Sequence, residues 1–402
     1  MDAWPPRRGA WSFCRTQESR SGTRGAYRGW DGTRHSGINF AAQDYLGLSH
    51  HPRVIQAAHD AIEQYGLHGA GSEVNGGTTW PVEQIALRLA RLLNLEHCIM
   101  FPTGWAAGYA AIRGLMRRSD VVVIDKLAHN CLREGALASG AEMAAFDHND
   151  PESLAAALER ARSSNPDAAI LVVIESLYSM DSDGPNLRGI IDAARAYGAH
   201  TLVDCAHDLG VFGKSGAGLM ADAGVLGEVD FVVGSFSKVF ATTGGFLISR
   251  WRQCTLSVQA YGQANTFSNQ LGPVQAATAL AAFEIVVSSE GDKLRRDVLQ
   301  ASRELREVIT SRGLICFGIP SALVPVLTGL EVIGREAARQ LGQNGILANF
   351  IEYPAVATGS SRLRLQVTPD HRDLPLREIG SKIADIILGV GGSIERTAVK
   401  AS

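Results

Sequence analysis

The chain lacks closely spaced cysteines, long apolar runs and an excess of charge of one sign. Its six cysteines include no CxxC pair, which argues against a zinc ribbon, a thioredoxin motif and a disulfide-stabilised secreted scaffold. The longest apolar run, residues 168–174, falls far short of the ~20 residues of a membrane span. With 38 basic and 41 acidic residues, the charge favours neither a nucleic-acid nor a membrane surface. We therefore expect a cytoplasmic globular protein.

Motifs for nucleotides and metals are missing as well. The Gly213-Lys214-Ser215 stretch resembles the end of a P-loop, but Asp208 stands where the first glycine is needed. No GxGxxG follows a predicted strand, which disfavours a Rossmann-type binding protein. No HExxH or other metal-ligand cluster is visible, so we predict no metal site.

The pattern along the chain predicts three regions. Residues 1–37 carry many arginines and no regular apolar spacing, which predicts an N-terminal arm lying over a partner subunit; a transit peptide is the alternative. In residues 38–250 short apolar strands alternate with amphipathic helices, which predicts a mostly parallel sheet covered on both faces. Residues 251–402 predict a helical connection and a small α+β domain.

Polar side chains follow several predicted strands. Asp204 ends the strand predicted at 201–204, and His207 follows it on the same loop. Lys238 follows the strand predicted at 231–233, in a turn rich in hydroxyls and glycine where a lysine can form a Schiff base with an aldehyde cofactor. Taken alone, Asp204 could be a helix N-cap and Lys238 a solvated loop lysine. Ligands of open α/β sheets bind at the carboxyl ends of the strands, so these positions are the candidate site.

Two weaker signals lie nearer the N-terminus. Gly104 and Trp105 form a turn between a predicted strand and a helix, and a helix N-terminus behind a glycine favours an anion such as phosphate. His129 follows the strand predicted at 120–125 and could stack on a planar ring, although a lone histidine is more often structural.

The order of these features, together with several local sequence motifs, resembles the α-oxoamine synthase family of fold-type I enzymes that use pyridoxal 5'-phosphate (PLP). The resemblance covers about residues 38–371. The stretches that carry it are QDYLGLSHHP, FPTGWAAG, DKLAHNCL, IESLYSMDSD, VDCAHDLGVFG, GSFSKVF and SRLRLQVTPDH. It implies an α/β fold, with a seven-stranded, mostly parallel sheet in a large domain, and a homodimer. It also implies a decarboxylative condensation of alanine, serine or glycine with an acyl thioester carried by coenzyme A or an acyl carrier protein.

The resemblance also implies roles for single residues. Lys238 matches the lysine that binds PLP and then moves the α-proton. Asp204 matches the carboxylate that pairs with the pyridine nitrogen and keeps the ring an electron sink. His129 matches the histidine stacked on the ring, and His207 and Ser179 match groups near its phenolic oxygen. Further cofactor-binding positions are Gly104, Trp105, Glu175 and Ser235.

On the substrate side, Arg364 matches the arginine that clamps a carboxylate in a bidentate contact. Arg362, two residues away, lies on the same strand face, so spacing alone cannot choose between the two, and the resemblance to the family favours Arg364. Gln43 stands where the family usually has an asparagine that helps to hold the amino-acid carboxylate, which leaves the amino acid open.

Two other functions stay open on this fold. An aminotransferase or a lyase would use the same cofactor without the condensation. A non-catalytic subunit of a heterodimer is disfavoured, because Lys238, Asp204 and His129 are all present.

Overall fold

The structure is a computed structural model, and it describes residues 15–29 and 32–391. The predicted arm therefore lies partly outside the described residues, as do Trp4, Trp11 and Trp30 of its sequence. The described chain divides into two compact units. The large unit holds residues 51–178 and 184–292, and the small unit holds residues up to 50, 179–183 and those from 293 on.

The described residues form thirteen strands, which belong to two sheets. In chain order they are β1 Thr16–Gln17, β2 Arg24–Arg28, β3 Arg34–Phe40, β4 His97–Phe101, β5 Val121–Asp125, β6 Glu142–Phe146, β7 Ile170–Glu175, β8 His200–Asp204, β9 Phe231–Ser235, β10 Gly245–Ser249, β11 Leu323–Gly329, β12 Ile346–Ile351 and β13 Ser361–Gln366.

Twelve α-helices are found in the same residues. They are α1 Pro52–Tyr65, α2 Trp80–Leu92, α3 Gly104–Leu115, α4 Asn130–Ser139, α5 Pro151–Ser164, α6 Leu187–Ala196, α7 Leu219–Asp222, α8 Arg252–Tyr261, α9 Pro273–Val286, α10 Ser289–Ser311, α11 Glu331–Gln343 and α12 Leu376–Gly389. Among them, none combines the length and the apolar character that crossing a membrane requires.

The large unit is built on a seven-stranded sheet in the order β4-β10-β9-β8-β7-β5-β6. Only β10 runs antiparallel to its neighbours, so the predicted seven-stranded, mostly parallel sheet is confirmed. Strands β5 and β7 are buried along their whole length, as expected for parallel strands with helices on both faces. The polar residues that end these strands therefore come together at one edge of the sheet.

The small unit is built on a six-stranded sheet in the order β1-β2-β3-β12-β13-β11. Its N-terminal strands join it through a parallel pairing in which Ile38 lies opposite Ile346. Residues 16–17, 24–28 and 34–40 are thus sheet strands of the small unit and not a separate arm.

The predicted boundaries at 37/38 and 250/251 therefore differ from those of the two units. Residues 251–292 belong to the large unit, because α8 packs against α3 and α9 packs against α1 and α2. Cys316, which lies outside the strands of the small unit, forms an isolated bridge with Val326.

Candidate active site

One cavity of about 340 Å³ in the large unit collects most of the predicted site residues. The predicted residues that line it are Gly104, Trp105, His129, Glu175, Asp204, His207, Ser235 and Lys238. They come from separate strand ends and turns, which the parallel sheet brings to its carboxyl edge. The position agrees with the expectation for ligand sites of open α/β sheets.

Two buried carboxylates lie on neighbouring strands of this edge. Glu175 ends β7 and Asp204 ends β8, and the two residues are register partners. Burial raises the pKa of Glu175 well above its usual value, and the negative charge of Asp204 raises it further. Burial also raises the pKa of Asp204, but the neighbouring His129 and, to a smaller extent, Lys238 oppose that rise. The cavity therefore holds a pair of buried carboxyl groups that resist ionising together.

Lys238 is half-buried and follows β9 in a turn rich in hydroxyl groups. The Oγ atoms of Ser235 and Ser237 are 2.7 Å apart, and the backbone N–H of Ser237 donates to Ser235 Oγ over 3.2 Å. The turn thus places an amine and two hydroxyls on the same cavity as the carboxylates.

The N-terminus of α3 closes another side of the cavity. Thr103 caps the helix by accepting a hydrogen bond from the backbone N–H of Ala106 over 3.1 Å. A Cβ at Gly104 would lie 2.5 Å from Ser235 Cβ, so only glycine lets the helix start approach the end of β9. Helix N-termini present unpaired N–H groups and a positive dipole end, which together favour an anion.

His129 is the N-cap residue of α4. Its Nδ1 accepts a hydrogen bond from the backbone N–H of Cys131, and its own backbone N–H donates to Glu175 Oε1 over 2.7 Å. Cys131 also lines the cavity and was missed in the sequence. A polar side chain directly before an apolar helical run is an N-cap signal, and it could have drawn attention to the first turn of α4. The other lining residues not predicted as binding are Thr103, Ala206, Gly234, Ser237, Thr243 and Gly244.

Three predicted residues, Ser179, Gln43 and Arg364, belong to the small unit and are not among the residues that line the cavity. There Arg364 is buried, its Nη1 lies 3.4 Å from the carbonyl oxygen of Ser179, and its Nε has no hydrogen-bond partner among the described residues. Gln43 is exposed.

Arg362, two residues before Arg364 on β13, already has interaction partners within the small unit. Its guanidinium is ion-paired with Asp181 and lies 4.6 Å from the centre of the Phe317 ring. The two arginines, which spacing could not separate, therefore differ in what they already bind.

Known proteins resemble this chain over most of its length. The sequence profile of the class I and II aminotransferases matches residues 35–382. An 8-amino-7-oxononanoate synthase of Pseudomonas entomophila is 34% identical over 350 residues, which are 87% of this chain and 87% of that protein.

Solved structures agree with the sequence matches. A serine palmitoyltransferase of Sphingomonas wittichii superposes with a TM-score of 0.87 at 28% identity and covers 94% of this chain and 93% of its own. A serine palmitoyltransferase variant from S. paucimobilis gives a TM-score of 0.88 at 27% identity over 94% of this chain and 93% of its own.

The chain belongs to the class I and II aminotransferase family, the fold-type I enzymes that use PLP. Within that class it is an α-oxoamine synthase. The predicted fold class, family, cofactor and acyltransferase reaction are thereby confirmed. The roles of the individual residues stay predictions.

Proposed function

We propose that the enzyme condenses alanine, serine or glycine with an acyl thioester of coenzyme A or of an acyl carrier protein. Carbon dioxide and the free thiol of the acyl carrier leave, and an α-amino ketone is released. The observation that carries the proposal is the meeting of Lys238, Asp204 and His129 on a single cavity. The names of the relatives support it, since 8-amino-7-oxononanoate carries its amino group next to a ketone. Serine palmitoyltransferase names serine and a palmitoyl group.

The cavity has the chemical groups that PLP requires. The cofactor carries an aldehyde, a phosphate and a pyridine nitrogen. The amine of Lys238 suits the aldehyde, and the buried carboxylate of Asp204 suits the protonated nitrogen. The close approach of Gly104 to Ser235 leaves the α3 N-terminus and a serine hydroxyl together, which suits the phosphate. When bound, PLP supplies an electron sink for the carbanion formed at the amino-acid α-carbon.

Each residue then has a defined task. The Nζ of Lys238 removes the α-proton of the amino acid, and Asp204 keeps the proton on the pyridine nitrogen. His129 stacks on the ring and hydrogen-bonds the amino-acid carboxylate or the thioester carbonyl as charge develops. His207 and Ser179 serve the phenolic oxygen, while Trp105 and Glu175 complete the surroundings of the cofactor. Arg364 and Gln43 bind the amino-acid carboxylate.

Product analysis tests the proposal. The PLP-loaded enzyme is incubated with each of the three amino acids and with acyl-coenzyme A or acyl carrier protein, and carbon dioxide, free thiol and product mass are measured. We expect all three to appear together for one combination. A keto acid without carbon dioxide would identify an aminotransferase, and no α-proton exchange with any amino acid would identify a non-catalytic subunit.

A variant of Lys238 provides the control. Lys238→Ala should fold and purify, but borohydride should no longer fix PLP covalently to the protein. A variant that is still labelled by borohydride at the cavity would remove Lys238 from its assigned role.

We also propose that the active unit is a homodimer. Leu67 and Phe267 are 74% and 80% exposed, and their loops are joined by a 2.9 Å hydrogen bond from the backbone N–H of Gln270 to the carbonyl of Gly71. Large exposed apolar side chains on neighbouring loops are typical of a surface covered by another protein. Sedimentation of a fully active monomer would contradict this. The cytoplasmic location stays a prediction.

A further inference from the structure

Hydrogen bonds at the backbone N–H and at the ring Nδ1 hold His129 in place. Its backbone N–H donates to Glu175 Oε1 over 2.7 Å. Its Nδ1 lies 3.3 Å from the backbone nitrogen of Cys131 and 3.0 Å from the Sγ of the same residue. A single cysteine at the start of α4 thus reaches Nδ1 with both its main chain and its side chain.

The chemistry of these donors determines the state of the ring. A backbone N–H can only donate, so Nδ1 must offer a lone pair and cannot carry a proton in this geometry. The Cys131 thiol must then donate as well, since Nδ1 has no hydrogen to give. We propose that Cys131 is a positioning residue that holds His129 as the neutral tautomer with its proton on Nε2.

Cys131 is suited to act as a donor. Its side chain is buried, and a Cβ at Gly108 of α3 would lie 2.6 Å from its Sγ, so the neighbouring helix leaves the thiol little freedom. Burial raises the pKa of the Cys131 thiol, and the carboxylates of Asp204 and Glu175 raise it further, which keeps the thiol protonated.

Several charged groups face His129 on the cavity. Asp204 and Glu175 would favour an imidazolium, whereas Lys238 would oppose one. Protonation at Nδ1 would have to break both hydrogen bonds to Cys131, and this cost opposes the imidazolium. A neutral ring leaves the charge of Asp204 for the pyridine nitrogen. This last consequence rests on the proposed function, while the tautomer assignment does not.

Nitrogen NMR tests the tautomer directly. Protein labelled with ¹⁵N-histidine is measured near neutral pH with and without PLP, and His129→Gln assigns the resonances. We expect Nδ1 to resonate as an unprotonated imidazole nitrogen and Nε2 as a protonated one, in both forms. A protonated Nδ1 in either form would overturn the proposal.

Variants at Cys131 test its part. Cys131→Ala removes one donor to Nδ1, so protonation of His129 should move to higher pH by roughly 0.5–1 unit, both in the NMR titration and in the acid limb of the activity profile. Cys131→Ser keeps a donor and should restore the wild-type values. Cys98→Ala, in the same unit but outside the cavity lining, should change neither.

Two outcomes distinguish the positioning role of Cys131 from the proposed function. An unchanged His129 titration in Cys131→Ala would show that the thiol does not position the ring. The expected tautomer in a protein that exchanges no α-proton would uphold the positioning role and refute the proposed function.

Discussion

Glu175 and Asp204 lie opposite each other at the carboxyl ends of the adjacent parallel strands β7 and β8, and both side chains are buried. Two carboxylates this close in a poorly solvated site resist double ionisation. Burial raises the pKa of both carboxyl groups, and the positive charge of Lys238 opposes the rise at each. Because Asp204 is proposed to pair with the protonated pyridine nitrogen, we expect the pair to keep its charge on Asp204 and Glu175 to be neutral when PLP is bound.

This asymmetry predicts different results for two conservative substitutions. Asp204→Asn removes the charge that keeps the pyridine nitrogen protonated, so α-proton exchange of the amino acid should fall by orders of magnitude. Glu175→Gln replaces a neutral acid with a neutral amide that can still accept from the His129 N–H, so exchange should change less than about tenfold. Proton exchange in deuterated water, followed by mass spectrometry, measures both.

Circular dichroism should confirm that both variants are folded. A Glu175→Gln variant as inactive as Asp204→Asn would show that Glu175 carries the charge that matters. Near wild-type exchange in Asp204→Asn would leave the aspartate a structural residue only.

Gly104 provides a second prediction. A methyl group at this position would lie 2.5 Å from Ser235 Cβ, so Gly104→Ala must push the start of α3 away from the end of β9. Overpacking of this kind costs about 1–3 kcal/mol, and we expect PLP to bind roughly 5- to 100-fold more weakly. Gly389→Ala is the matched control, because a Cβ there has no heavy atom within 4 Å. Equal PLP affinity in the two variants would contradict the close approach.

The acid stability of the protein should depend on His371. This residue is buried in the small unit, where its Nδ1 accepts from the backbone N–H of Thr368 over 2.9 Å and its ring stacks on Phe40 at 4.6 Å. Burial lowers the pKa of His371 from 6.5 to about 4. Between these values the unfolded chain binds a proton that the folded chain refuses.

The contribution of neutral His371 to the stability of the folded state is therefore complete above pH 6.5 and is lost as the pH falls towards 4. The full effect is about 3 kcal/mol in the free energy of unfolding. Urea unfolding at several pH values should show a smaller loss of stability with acid in His371→Gln than in the wild type. His59→Gln, at an exposed position, is the control substitution. Identical acid profiles for the wild type and His371→Gln would contradict the prediction.

The sequence predicts the candidate site better than it predicts the small unit, for a physical reason. Buried parallel strands are continuous apolar runs, so the polar residue that ends each run, such as Asp204, is easy to recognise. The N-terminal strands are short and partly exposed, and their pairing joins Ile38 to Ile346 across most of the chain. The local sequence pattern of these strands does not indicate which distant segment they pair with. The contact between Cys131 Sγ and His129 Nδ1 was not predicted either, because an N-cap signal marks the start of α4 but not the geometry of the cap.

The two arginines of β13 differ in their engagement. Arg362 is paired with Asp181 and stacked over Phe317, which gives it a structural task within the small unit. Arg364 is buried, and its Nε has no hydrogen-bond partner among the described residues. Burial also lowers the pKa of Arg364, so this guanidinium gains from an incoming carboxylate. We therefore assign the amino-acid carboxylate to Arg364.

Arg364→Lys should weaken amino-acid binding, because lysine cannot form the two parallel hydrogen bonds of an arginine fork. Losing such a contact should cost roughly 2–4 kcal/mol, or an affinity loss of about 30- to 1000-fold. Arg362→Lys should lower the unfolding midpoint and leave that affinity nearly unchanged. The change in cofactor absorbance on adding the preferred amino acid measures affinity in both. Loss of affinity only in Arg362→Lys would reverse the assignment, and loss in neither would place the carboxylate elsewhere, with Gln43 the next residue to test.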